Sequence, residues 1–233
     1  MKTSLADILS QRSVWRGSAL ASGPARTTVP TGFVMLDREL PGGGWPTGVL
    51  TEILGRGEGV GELQLVLPTL AALSAGGRRI VWLAPPHLPY APALAAAGID
   101  LEHLSVVRAP GRRDGLWAAE QVLRGGGCHA LLAWFRDIRY AELRRLAVAA
   151  EAGHGAFVAL FRPEQATHET SPACLRIAFE PAPEGLSVHI LKRRGALIAK
   201  PLNIKIERPV HALAGASFST PCTRGPVARP CPV

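Results

Sequence analysis

The sequence predicts an α/β fold with a mostly parallel sheet, and three observations lead there. From Val34 onward short apolar runs alternate with longer stretches of helical spacing, the pattern of strands joined by helical crossovers. A glycine-rich stretch, GRGEGVGEL (55–63), sits between a strand-like run and a helix-like one. At 233 residues and 47% hydrophobic content, the chain can bury one core and still carry tails.

The elements follow in order. Residues 1–30 read as an arm: a short helix, SLADILSQR, then a connector rich in Gly, Pro, Ser and Thr. The core is expected over 31–207. VLTEIL (49–54) is the first strand and ELQLVLPTLAALSAGG (62–77) a helix ending at paired glycines, with Pro68 inside it. RIVWLAP (79–85) is the second strand, YAPALAAAG (90–98) a short helix and LSVVRAP (104–110) the third strand. DGLWAAEQVLRGGG (114–127) is a helix with Leu116, Ala119, Val122 and Leu123 on one face. HALLAWF (129–135), YAELRRLAVAAEAG (140–153) and GAFVALFRP (155–163) continue as strand, helix and strand. Strands at this spacing imply right-handed crossovers and a sheet covered on both faces. CLRIAFEPAPEGLSVHILKRRG (174–195) then reads as an antiparallel hairpin on the sheet edge. The Pro-rich residues 208–233 read as a disordered tail.

Composition narrows the function classes. No apolar run reaches the roughly 18–20 residues of a membrane helix and the start lacks a signal-peptide pattern, so a cytoplasmic protein is expected. Cys128, Cys174, Cys222 and Cys231 form no C-x-x-C pair, and the seven histidines form no H-x-x-x-H or H-E-x-x-H spacing. No G-x-S-x-G elbow surrounds a serine. The net charge of +8 favours nucleic acid or an acidic partner, but an arginine-rich, high-GC composition gives the same number.

The glycine-rich stretch carries the central reading. A phosphate-binding loop ends in G-K-[ST], because the lysine reaches the β and γ oxygens and the hydroxyl holds magnesium. Gly61 matches the glycine, but Glu62 stands at the lysine position and Leu63 at the hydroxyl position. A carboxylate about 4 Å from a phosphate is repulsive by several kcal/mol at an effective dielectric near 20. A helix amino terminus returns only about 0.3–1 kcal/mol. The dinucleotide fingerprint fails too, since the glycines at 55, 57, 59 and 61 simply alternate. Gly55, Gly57, Gly59, Gly61, Glu62 and Leu63 therefore form a degenerate loop, with no cofactor and no metal expected.

TGFVMLDRELPGGGWPTGVLTEILG (31–55) resembles the segment that leads into the P-loop of the RecA-type ATPase core. VWRG (14–17) and LPGGGWPTGVLTEIL (40–54) further resemble the ImuA family, over about residues 10–207. That resemblance implies a RecA-like three-layer α/β/α core. It also implies a RecA- and SulA-like accessory role in damage-induced translesion DNA synthesis, with ImuB and an ImuC-type polymerase subunit as partners. RecA and DNA are further candidate partners. Where the RecA core carries a D-x-E after its second strand, this chain has Ala84, Pro85 and Pro86. Trp134 stands at the magnesium-binding aspartate position. With lysine, hydroxyl, general base and metal ligand all replaced, phosphoryl transfer is not expected and the chain reads as a non-enzyme. Asp137, just past the strand, reads as a solvated surface residue. Two other readings stand beside the accessory role: a SulA-like cell-division inhibitor on the same degenerate core, and an ATPase whose site a partner completes.

Two surface features complete the expectation. Lys192, Arg193 and Arg194 form the densest basic cluster; contact with DNA or a partner and a plain solvated turn stand level for it. Trp15, alone in a polar arm, suggests an aromatic anchor that docks on its own core or a neighbouring subunit, so self-association is a live expectation.

Overall fold

The computed structural model describes residues 26–57, 61–195 and 200–206. The amino-terminal helix of the expected arm, Trp15, Gly59 and the tail after Ile206 lie outside these residues.

Among the described residues eight strands form one sheet: β3 (Val49–Gly55), β4 (Ile80–Leu83), β5 (Leu104–Val107), β6 (Ala130–Trp134), β7 (Phe157–Pro163), β8 (Leu175–Ala182), β9 (Gly185–Lys192) and β10 (Leu202–Lys205). Their order is β10-β9-β8-β3-β7-β6-β4-β5. The strands from β5 to β8 in that order run parallel, and β9 and β10 join antiparallel. β3 is central: it pairs with β7 from Val49↔Phe157 to Gly55↔Pro163 and with β8 from Thr51↔Leu175 to Leu54↔Ala178. All seven of its residues are buried, which is why it reads in sequence as an almost continuous apolar run.

The helices are α1 (Val34–Glu39), α2 (Leu67–Ala75), α3 (Ala91–Ala96), α4 (Arg112–Arg124) and α5 (Tyr140–Ala152). Strand residues alternate between two cores. Ile53, Ile80, Trp82, Leu132 and Phe157 pack with Leu65, Leu70 and Leu94 from the α2 and α3 side. Leu50, Leu131, Ala133, Val158 and Leu160 pack with Leu116, Leu123, Leu143 and Leu146 from α4 and α5. The face expected for α4 holds at Leu116, Ala119 and Leu123, which are buried; Val122 is only partly so.

Two expectations need correction. The hairpin of β8 and β9 does not form the sheet edge, because β8 lies against β3 and β10 covers β9. The helix expected from residue 62 begins at Leu67, after a 3-10 turn over Glu62–Leu65. Pro68 thus sits in the first helical turn, where its missing N–H has no intrahelical partner to lose.

A two-residue pairing sits ahead of the main sheet: β1 (Thr28–Val29) runs antiparallel to β2 (Trp45–Pro46). Trp45 is fully buried and stacks on Phe157 with ring centroids 5.4 Å apart. A Cβ on Gly44 would lie 2.2 Å from the Val29 carbonyl oxygen, so this close approach requires glycine within the GGGWP block.

Candidate functional site

A cleft of about 580 Å³ opens at the carboxyl ends of β3, β6 and β7, where open α/β sheets bind their ligands. Gly55, Arg56, Gly57 and Glu62 line it from the degenerate loop, and Trp134, Phe161 and Phe179 from the strands. Gly61 precedes the 3-10 turn with φ 106°, and the turn buries Glu62 at the cleft wall. Leu63 packs against the hydrophobic core. The position expected for a phosphate-binding lysine thus holds a carboxylate, and the hydroxyl position holds a core side chain.

Aromatic side chains line much of the rest of the cleft. Trp134 stacks on Phe161 at 4.7 Å and 19°, and meets Trp82 at 5.7 Å and 60°. The side chain at the magnesium-ligand position is therefore part of an aromatic layer continuous with the core. Phe179 closes the cleft from β8, so near that a Cβ on Gly55 would stand 2.5 Å from its ring. Arg56, the first cation after β3, reaches Glu164 at 3.2 Å and Glu180 at 3.3 Å, which already offset its charge. After β4, Ala84 and Pro85 stand at the general-base position, and His87 is the residue of that segment that lines the cleft. Asp137 is exposed on the cleft lining.

Beneath the cleft wall lies a charge cluster that sequence reasoning missed. Glu52, fully buried on β3, accepts from Arg162 Nη1 at 3.0 Å and from Arg176 Nε at 2.5 Å. Arg162 also donates to Glu169 at 2.7 Å, and Arg176 donates to the Ala166 and Glu169 carbonyls. The cluster ties the turn Glu164–His168 to the sheet beside Arg162 and Pro163 of the cleft. Its partners are separated by 110 and 124 residues, and no local pattern signals them.

The basic cluster falls at the opposite end of the sheet. Lys192, Arg193 and Arg194 line a second groove of about 1120 Å³, together with Arg26 and the loop around Gly42 and Gly44. Lys192 donates to the Ser171 carbonyl at 2.9 Å, and Arg193 bonds the Glu39 carbonyl. The structure does not bring this cluster to the degenerate loop. Among the described residues no group of three His, Cys, Asp or Glu side chains is placed to hold a metal ion. No helix among them is long and apolar enough to cross a membrane.

A mostly parallel sheet with helices, with a glycine-rich stretch between its central strand and a helix, defines an α/β fold. Sequence comparison finds partial similarity to RecA: the chain is 29% identical to RecA of Picosynechococcus sp. over 118 residues, covering 49% of this chain and 33% of that protein. It is 30% identical to RecA of Bartonella tribocorum over 127 residues, covering 52% of this chain and 36% of that one. More specifically, the model of the family described as cell division inhibitor SulA matches residues 48–156. The cell division inhibitor SulA of Edwardsiella piscicida is 33% identical over 101 residues, covering 43% of this chain and 60% of that protein. The crystal structure of SulA from Pseudomonas aeruginosa superposes with a TM-score of 0.42 at 26% identity, covering 48% of this chain and 97% of that one. The chain is thus similar to SulA over residues 48–156 and to RecA over about half its length, and spans about a third to three-fifths of these curated relatives.

Proposed function

We propose that this chain is a non-catalytic protein of the bacterial DNA-damage response, built on a RecA-like three-layer α/β/α scaffold and acting by contact with other proteins in the cytoplasm. One observation supports the reading: the cleft at the expected nucleotide position is lined by Glu62 and by the Trp134–Phe161 stack, in place of the groups that phosphoryl transfer needs. The family match over residues 48–156 and the SulA relative support inhibition of cell division as the specific role. Purified full-length chain should then block assembly of FtsZ at about equimolar ratio, and its expression should make cells filament. FtsZ assembly that proceeds unchanged would remove this role.

A second role, as an ImuA-like accessory factor of translesion synthesis, is supported by what lies outside the matched region. The GGGWP block is built into the fold through Trp45 and Gly44, and β8, β9 and β10 extend the sheet well past residue 156. Co-purification with ImuB, in the absence of any effect on FtsZ, would select this role over division inhibition.

A further inference from the structure

The second groove has a one-sided chemistry. Arg26 and Lys192 are exposed at its rim and Arg193 and Arg194 are half-buried, while among the described residues its lining includes no acidic side chain. Beside the groove, the Glu39 carboxylate lies 3.4 Å from Arg193. Below this basic rim the lining is apolar, with Leu40, Ala173 and Leu175 all buried and Pro41 and Pro46 beside them. The combination of a cationic rim and an apolar floor fits an anionic segment that also carries apolar side chains. At about 1120 Å³ the groove exceeds the range of about 300–1000 Å³ usual for small-molecule pockets and suits a peptide.

Charge decides among the occupants. Residues 1–25 carry Lys2, Arg12 and Arg16 against Asp7, and residues 207–233 carry Arg208, Arg224 and Arg229 against Glu207. Neither of these segments complements a basic groove, and a second copy of a chain with net charge +8 is disfavoured on the same ground. Single-stranded nucleic acid would complement the charge, but among the described residues the groove lining offers no aromatic side chain on which bases could stack.

We propose that this groove is a docking site for an extended acidic segment of a partner protein. Carboxylates of that segment meet Arg26, Lys192, Arg193 and Arg194, and its apolar side chains meet the floor at Leu40 and Leu175. The proposal rests on the reading that the protein works through partners, and it assigns that contact to the end of the sheet opposite the degenerate loop.

The test uses the full-length chain and fluorescence anisotropy at about 0.1 M salt. Three labelled probes are compared: a peptide of about twelve residues alternating Glu and Leu, the same peptide with Leu replaced by Ser, and an oligothymidylate of equal length. The Glu-Leu peptide should bind saturably, with the Glu-Ser peptide and the oligothymidylate about tenfold or more weaker. The double variant Arg26→Glu, Lys192→Glu should weaken the Glu-Leu peptide by about tenfold while keeping the wild-type melting temperature, because both side chains are exposed. Absence of Glu-Leu binding up to about 1 mM overturns the proposal, as does equal binding by oligothymidylate or an unchanged affinity in the double variant. If the double variant still inhibits FtsZ or still retains ImuB with wild-type affinity, the groove assignment falls while the partner-based function stands.

Discussion

Replacing Glu52 by Gln should destabilise the protein far more than its small change in shape suggests. The carboxylate is fully buried and accepts from two guanidiniums whose side chains are 1% and 8% exposed. Glutamine keeps the volume but removes the charge, leaving Arg162 with only Glu169 as counterion and Arg176 with only carbonyl acceptors. Breaking a buried ion pair from one side costs about 3–5 kcal/mol. For a domain of this size each kcal/mol lowers the melting temperature by about 2–4 °C, so a fall of about 6–20 °C is expected. Glu169 is the control: its side chain is 54% exposed, and Glu169→Gln should cost less than about 1 kcal/mol. Urea denaturation followed by circular dichroism measures both. An E52Q variant within about 1 kcal/mol of wild type would refute the reasoning that this cluster holds the turn over Glu164–His168 against the sheet.

Other outcomes follow from packing around the cleft and from burial. Gly55→Ala should cost about 1–3 kcal/mol, because the new methyl meets the Phe179 ring, and combining it with Phe179→Leu should recover part of that loss in thermal melts. Cys128, whose thiol is pushed up to about 11 by burial, should react with iodoacetamide at pH 8 much more slowly than the partly exposed Cys174, as peptide mass mapping would show. The raised thiol value also makes stability fall as pH rises from the ordinary value of 9.0 toward about 11, because the unfolded chain loses that proton first; Cys128→Ala should flatten this part of the pH profile.

Much of the sheet is legible in the sequence because a parallel sheet covered on both faces needs nearly continuous apolar runs, and VLTEIL, HALLAWF and GAFVALFRP are mostly apolar. The pairing of Thr28–Val29 with Trp45–Pro46 left no periodic signal, since two residues per strand cannot establish one. β10, with Asn203 between Leu202 and Ile204, is too short and polar to stand out, and its absence from the expected order is what put the β8–β9 hairpin at the edge. Pro68 was visible, but only the geometry shows that it starts a helix rather than interrupting one. At the cleft, Glu62 and Leu63 were readable one by one against the phosphate-loop pattern. The stacking of Trp134 on Phe161, and of Phe179 over Gly55, was not, because these contacts join strands far apart in the chain. The basic groove was half readable: Lys192, Arg193 and Arg194 stand together in sequence, whereas Arg26 and the floor at Leu40 and Leu175 reach them only through the fold.

Nucleotide binding is the most direct test of the central claim. Thermal melting of the full-length chain with and without about 1 mM magnesium ATP should give superimposable curves. A site with a dissociation constant near 10 μM would be stabilised by about 2.7 kcal/mol under those conditions, a rise of about 5–11 °C. A shift of that size, abolished by Gly61→Val, would show that the loop between β3 and α2 still holds a phosphate and would contradict a scaffold kept for its surfaces alone.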